Sequence, residues 1–306
     1  MAHDPIAHVK DSYYFEVPKS LWRYNSLKDV PEWLRKSEHH SLSEWKHELD
    51  GKILIPQPLG TLENLYKPKS GFCISRFMLL EVLAAVIVAF IFIRLADRMK
   101  TGEAPKGRFW NFFESMLVFI RDQVARPAIG HHDGDTYTPY LWTLFFFILT
   151  CNLLGMIPWL GSASGAMGMT GAMAIIVFFT VVGVGVFKLG PIGYLKSLVP
   201  HMDLPIGLAI FLIPMIFAIE VLGLVIKHFV LSVRLLANMF AGHLVLAVIV
   251  GFIADAAPHG AWYGVMPASV IGATLLSLLE LFVAFLQAYI FAFLTALFIG
   301  SAVHPH

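Results

Sequence analysis

Charged and polar side chains recur inside the last, otherwise apolar third of the chain. The stretch 231–243 combines a fixed cation, an amide and an imidazole in Arg234, Asn238 and His243. An arginine at the centre of a membrane helix costs about 2.5–3.5 kcal/mol on insertion scales, and intramembrane charges commonly mark ion or proton paths. Glutamate and histidine exchange protons at accessible pH, whereas arginine stays charged. These residues can therefore transfer protons around a fixed positive charge.

Spacing predicts which of these residues share one helix face. Glu220, Lys227 and Arg234 follow one another at intervals of seven residues, which leaves an offset of about 20° per step on an α-helix. Asn238 extends the same face by one turn. His243 lies on the opposite face, about 13 Å farther along the helix axis than Arg234.

The final apolar segment repeats this spacing with a second polar pair. Glu280 and Gln287 are seven residues apart and share a face. If the two segments pair antiparallel about Gly260, Glu280 comes close to His243. We therefore predict two proton-accessible patches, one opening toward each side of the membrane, with Arg234 between them.

Most of these residues also have a simpler structural interpretation. Glu220 and Lys227 could neutralise each other within the membrane. Lys227 and His228 could extend their polar ends to the interface. His243 could be a hydrogen-bonded core histidine, and Gly242 could serve only close helix packing.

Composition places the chain among polytopic membrane proteins. It has 306 residues, of which 57% are hydrophobic and only 14% charged, whereas globular domains carry about 25% charged residues. The net charge of +1 gives no basis for nucleic-acid binding, and the two cysteines define no disulfide framework. No phosphate-binding loop, nucleophile elbow or dinucleotide fingerprint occurs. We therefore predict no cofactor, and we interpret the His/Asp-rich stretch 131–135 as a solvated loop rather than a metal site.

The predicted fold is all-α, with about five membrane-embedded helices and one amphipathic surface helix. Residues 1–73 form an extramembrane or interfacial segment with short amphipathic helices, one candidate being 41–50, and 74–306 form the membrane domain. The helices cover about 74–97, 107–126 (the amphipathic one), 139–158, 170–188, 206–253 and 264–301. An unbroken helix over 206–250 is about 68 Å long, against a hydrocarbon layer of about 30 Å. We expect this segment either to break or to lie strongly tilted.

Basic residues predict the orientation in the membrane. The loop 94–138 carries seven of them and 188–205 carries two, whereas 159–169 and 254–263 carry none. Loops rich in lysine and arginine face the cytoplasm. We therefore predict an outer N-terminus and a cytoplasmic C-terminus.

Several motifs of the last two apolar segments and of the segment 145–158 resemble those of a known family. The segment RLLANMFAGHLV at 234–245 closely resembles the central helix of subunit a of F-type ATP synthases. The resemblance extends to Glu220, to Lys227 and to ELFVAFLQAY at 280–289. Within FFFILTCNLLGMIP at 145–158, Asn152, Gly155 and Pro158 match the family's signature of Asn, Gly and Pro. The matching region covers about 75–301 and leaves residues 1–70 outside.

The resemblance implies a stator that presents two offset aqueous half-channels to a rotating ring of c subunits. Arg234 matches the family's essential arginine, which faces the ring carboxylate and blocks a proton short circuit. The resemblance assigns His243, Glu280 and Asn238 to the outer half-channel and Glu220 to the cytoplasmic one. Gln287 would lie near Arg234 on the partner helix, and the last two helices would form a tilted hairpin against the ring. Peripheral-stalk b subunits and the rest of the synthase are the further implied partners.

One feature departs from the bacterial pattern of the family. Many bacterial members carry glutamate at the position of His243 and histidine at that of Glu280, whereas mitochondrial relatives show the arrangement seen here. The long N-terminal segment and the basic loop still favour a bacterial inner membrane. The main alternative function is a self-contained ion transporter or channel, which predicts inverted repeats and broken helices. A structural membrane anchor is a third possibility.

Overall fold

The computed structural model describes residues 11–18, 22–23, 49–100, 107–157, 160–199, 206–258 and 260–304. Five helices of this part are long and apolar enough to cross a membrane, which agrees with the predicted all-α polytopic class. The chain packs as two compact units. The first contains the described residues of Met1–Val86, Cys151–Ala166 and Met239–Leu281, and the second contains those of Ile87–Thr150, Met167–Asn238 and Phe282–His306. The predicted division at residue 73 stays a prediction.

In the first unit, two short antiparallel strand pairs precede the first helix. β1 (Tyr14–Glu16) pairs with β2 (Lys52–Leu54), and β3 (Gly60–Asn64) pairs with β4 (Lys67–Gly71). The prediction of short amphipathic helices is wrong for these residues, because strands of three to five residues are too short to give a periodic signal. The candidate helix at 41–50 lies almost entirely outside the described residues.

The strand region is tied to the start of α1 (Arg76–Met99). The Asp11 carboxylate accepts a hydrogen bond from the backbone amide of Phe77 at 3.3 Å, and the Ser75 hydroxyl accepts one from Met78 at 3.4 Å. These acceptors satisfy amide groups that have no partner inside a helix. Nearby, burial and a hydrogen bond to Tyr66 raise the pKa of Tyr14. The N-terminal segment therefore caps the first membrane helix.

In the second unit, the predicted amphipathic helix is continuous but changes its winding. It consists of α2 (Arg108–Phe119), a π-helical turn (Ile120–Ala125) and α3 (Arg126–Ile129). Asp122 accepts hydrogen bonds from Arg121 and Arg126, both at 2.9 Å, and the Arg121 bond holds the pKa of Asp122 below its usual value. Whether this helix lies along the membrane surface stays a prediction.

The next helix, α4 (His131–Gly155), begins at His131 rather than at residue 139. The prediction of a loop over 131–138 is therefore wrong, since Pro139 lies inside the helix instead of opening it. Proline lacks the amide that would donate to the Asp135 carbonyl, but membrane helices tolerate such a break when neighbouring groups compensate. Within this turn the Thr138 hydroxyl donates to the Gly134 carbonyl at 2.7 Å.

The connection after α4 contains a 3₁₀ turn (Ala163–Gly165), and it is followed by α5 (Met167–Leu189) and α6 (Pro191–Ser197). In the first unit, the buried side chains of Phe77 and Leu80 pack against Ala163 of this turn. The short helix α6 lies where only a loop was predicted, and residues 200–205 lie outside the described part.

The last two helices are the longest elements of the chain. α7 (Ile206–Ala256) has 51 residues and α8 (Trp262–Val303) has 42, so they are about 77 and 63 Å long. The sequence predicted that the segment now seen as α7 either breaks or lies strongly tilted. The structure shows no break in α7. A strong tilt therefore stays our prediction for α7 and α8, because both exceed the thickness of the hydrocarbon layer.

Gly300 of α8 allows a close approach to α3 in the second unit. A Cβ atom at this position would collide with the backbone carbonyl of Ala128 in α3. We expect Gly300→Ala to destabilise the protein by about 1–3 kcal/mol, because a backbone group cannot turn aside as a flexible side chain does. Thermal denaturation in detergent measures the effect. Gly223→Ala is the matched control, since its Cβ would meet nothing within 4 Å, and equal melting temperatures for both variants would contradict the prediction.

Candidate functional site

The predicted charged face of α7 is present and open to its surroundings. Glu220, Lys227 and Arg234 are all exposed. Their regular spacing places them along one side of an unbroken helix. Among the described residues none of the three forms an ion pair, so the structure does not support the interpretation of Glu220 and Lys227 as a neutralising pair. The Arg234 guanidinium is therefore exposed on an apolar helix, without an ion pair in the part of the chain that the structure describes.

Two amide side chains of the second unit carry unsatisfied donors. Gln287 of α8 is buried with 3% exposure, and Asn238 of α7 is half-buried. The side-chain nitrogen of each is buried without a hydrogen-bond acceptor among the described residues. A buried polar group without a partner costs about 1–3 kcal/mol, so both are suited to bind water or an anionic oxygen.

In the first unit, the predicted contact between His243 and Glu280 is confirmed. The Nδ1 atom of His243 lies 2.7 Å from Oε1 of Glu280, and its Nε2 atom lies 2.9 Å from the carbonyl oxygen of Gly155 at the end of α4. Glu280 is only 5% exposed and His243 15%. The predicted pairing about Gly260 was close to the observed register, in which a Cβ atom added to Gly272 of α8 would lie 4.0 Å from the Cγ2 atom of Ile249 in α7. The interpretation of His243 as a hydrogen-bonded histidine is correct, and its partner is an ionisable group.

Gly242 makes room for this pair. A Cβ atom on Gly242 would lie 2.8 Å from Oε1 of Glu280, closer than unbonded atoms approach. The residue therefore serves a close approach, as the packing interpretation predicted, but the neighbour is the Glu280 carboxylate. Asn152 lies one turn before Gly155 in α4 and is fully buried.

One buried polar group, His228, lies where the sequence did not predict it. His228 is buried with 3% exposure, between the rings of Phe178 and Phe298, rather than extending to the interface. Its Nδ1 atom lies 2.8 Å from the Leu224 carbonyl. Because a carbonyl only accepts hydrogen bonds, Nδ1 carries the proton. A histidine in an apolar sequence gives no signal that separates burial from interfacial exposure.

The stretch 131–135 connects helix ends within the second unit. Asp133 forms an ion pair with Lys188 at the end of α5, and its carboxylate lies 3.4 Å from the Nε2 atom of His304 after α8. The interpretation of this stretch as a solvated loop is wrong, because its residues form the first turn of α4. Among the described residues, no group of three or more His, Cys, Asp or Glu side chains could hold a metal ion.

These observations define a polytopic membrane protein that keeps ionisable side chains on two long apolar helices. Residues 78–300 match the family described as ATP synthase A chain. The chain belongs to this family, and the resemblance seen in its motifs is confirmed.

Curated relatives from several bacteria are named ATP synthase subunit a. The chain is 41% identical to that of Myxococcus xanthus over 236 residues, which cover 76% of this chain and 75% of the relative. It is 37% identical to that of Chloroherpeton thalassium over 262 residues, covering 84% and 75%. It is 38% identical to that of Sinorhizobium fredii over 260 residues, covering 85% and 96%.

Proposed function

We propose that this chain translocates protons as a membrane subunit of an F-type ATP synthase, and that Arg234 separates two offset half-channels serving a ring of c subunits. Family membership supports the first part. One observation carries the second part, the separating role of Arg234. This side chain is exposed on the unbroken helix α7 and forms no ion pair among the described residues. An arginine in this state favours the ionised form of a carboxylate brought against it.

The energies involved are of a suitable size for a rotating contact. An arginine–carboxylate pair at 4 Å and an effective dielectric constant of 20 is worth about 4 kcal/mol before desolvation. A proton that crosses 100 mV releases about 2.3 kcal/mol. Because the two energies are comparable, Arg234 attracts an ionised ring carboxylate without trapping it. The guanidinium does not release a proton, so it also blocks direct leakage between the half-channels.

The remaining polar residues are assigned to the two half-channels. His243, Glu280 and Asn238 line the outer one, and Glu220 lines the cytoplasmic one. Gln287 lies near Arg234 and supplies an amide donor to the ring carboxylate or to water. The supporting residues are Lys227, Gly242 and Asn152. The hydrogen bond between His243 and Glu280 supports this assignment, because an acid and an imidazole in contact can pass a proton between them.

The partners and the location follow from the same proposal. The chain contacts the c-subunit ring, the peripheral-stalk b subunits and the rest of the synthase, and it holds no catalytic site or cofactor of its own. We place it in a bacterial inner membrane with the N-terminus outside and the C-terminus in the cytoplasm. The distribution of basic residues supports this orientation.

Purification of the complex from native membranes tests the assignment. We expect the chain to copurify with a ring of small hairpin proteins that bear a mid-membrane carboxylate. The purified chain alone should not move protons into liposomes, whereas the whole complex should pump them with ATP. Proton flux through the isolated chain would support the transporter alternative instead. The described residues of α7 and α8 show no break that would favour that alternative.

A further inference from the structure

His243 is held at both ring nitrogens by groups of different chemistry. Nδ1 faces a carboxylate oxygen of Glu280 at 2.7 Å, and Nε2 faces the backbone carbonyl of Gly155 at 2.9 Å. A carbonyl oxygen accepts hydrogen bonds and never donates them. The proton on Nε2 is therefore fixed by Gly155 in every state that keeps this contact.

The fixed Nε2 proton determines what happens at the other end of the ring. A protonated Glu280 donates to the bare Nδ1 atom, or the proton moves across and leaves an imidazolium beside a carboxylate. The O–H bond of Glu280 breaks as the N–H bond at Nδ1 forms, and Nε2 keeps its own proton. One mobile proton is shared along a single line between His243 and Glu280.

The Gly155 carbonyl is available because α4 ends there. The last four carbonyls of a helix have no partner inside it. The amide of Met156 donates to the Asn152 and Leu153 carbonyls, and that of Ile157 donates to the Leu154 carbonyl, all at 3.2 Å. These bonds leave the Gly155 oxygen to His243.

Close packing against the following turn keeps this carbonyl in place. A Cβ atom on Gly155 would lie 2.7 Å from the Ser162 hydroxyl oxygen and 3.0 Å from the Ser162 Cβ atom. Ser162 is fully buried, and its hydroxyl lies 3.3 Å from that of Ser164. Glycine is thus the residue that permits the turn after α4 to approach the helix end.

We propose that the Gly155 carbonyl, packed against Ser162, is a positioning group that fixes the Nε2-protonated tautomer of His243 and reserves Nδ1 for proton exchange with Glu280. This role rests on the proposed function, because it matters only if protons pass through the pair. It identifies the end of α4 as a third component of the outer proton path. His228 provides a contrast, since its contact with the Leu224 carbonyl requires the opposite tautomer.

The tautomer can be measured by nitrogen-15 NMR of the intact complex in lipid bilayers. The chain contains 13 histidines, so a difference spectrum against His243→Asn isolates the ring of interest. We expect neutral His243 to show a single protonated nitrogen at Nε2. Protonation at Nδ1, or an even mixture of both tautomers, would overturn the proposal. This measurement decides the question even if no Gly155 variant assembles.

A compensating second substitution tests the proposed packing of Gly155 against Ser162. Gly155→Ala should mix the tautomers of His243 and lower ATP-driven proton pumping about tenfold, the factor expected for one lost hydrogen bond in a buried site. Adding Ser162→Gly to this variant should restore a large part of the pumping rate and of the single His243 tautomer. Gly251→Ala is the control on α7, because its Cβ would meet nothing within 4 Å.

The outcomes separate this role from the proposed function. If His243→Ala abolishes pumping while Gly155→Ala keeps wild-type pumping and a single tautomer, the positioning role is refuted and the proton path remains. If His243→Ala pumps normally, the outer path itself is refuted. A pumping defect in Gly155→Ala with an unchanged His243 spectrum would make Gly155 merely structural.

Discussion

Replacement of Arg234 by alanine is expected to abolish coupled proton transport. The contact that we propose between this side chain and a ring carboxylate is worth about 4 kcal/mol before desolvation, which corresponds to roughly a thousandfold in an equilibrium constant. If the proposal holds, a ring carboxylate that passes the missing cation should keep its proton, and no barrier should separate the two proposed half-channels. ATP synthesis in inverted vesicles should fall to background, and passive proton leakage should rise.

Two further variants sharpen this experiment. Arg234→Lys keeps a positive charge but loses the planar guanidinium that binds a carboxylate through two hydrogen bonds. We therefore expect this variant to reduce the passive proton leakage only in part and to synthesise ATP poorly. Arg98→Ala removes an exposed arginine at the end of α1 and should leave synthesis near the wild-type rate. Wild-type synthesis by Arg234→Ala would refute the central role of this residue.

Exchange of the acid and the imidazole between α7 and α8 is expected to be tolerated better than either single change. His243→Glu alone brings two carboxylates together, and Glu280→His alone brings together two imidazoles. The double variant restores one acid and one base at the 2.7 Å contact. We expect each single variant to lose at least about tenfold in proton pumping, as for a lost buried hydrogen bond, and the double variant to recover a clear part of that loss.

The double-mutant cycle also tests whether the contact itself matters. Residues in direct contact show non-additive effects, whereas independent residues add. In the double variant, the glutamate at position 243 would face the Gly155 carbonyl. An ionised carboxylate has no hydrogen-bond donor for this carbonyl, and only the protonated acid could donate to it. Recovery of proton pumping should therefore be incomplete. Equal loss in all three variants would show that proximity of the acid and the base does not matter for transport.

The polar residues of α7 illustrate what sequence patterns can predict. Helical phase is a local property, so the common face of Glu220, Lys227 and Arg234 followed from their spacing alone. The contact between His243 and Glu280 also followed, because a short turn between two long apolar helices leaves little freedom in their register. Both arguments needed only the helix repeat and the position of the turn.

Other features depended on contacts between distant parts of the chain. Pro139 suggested a helix start, yet α4 begins at His131 and continues through the proline. The strands β1 and β2 are short and separated by more than thirty residues, so neither gave a pattern of its own. Burial of His228 depended on the rings of Phe178 and Phe298, which come from two other helices.

The sequence by itself determined that this protein is a polytopic membrane protein of the ATP synthase A chain family, with ionisable groups at fixed positions on two long helices. Only the tertiary structure decided which backbone group completes the pair of His243 and Glu280. Every residue carries a carbonyl, so the sequence holds no signal for the one that accepts the Nε2 proton. That choice depends on where α4 ends and on how closely Gly155 packs against Ser162.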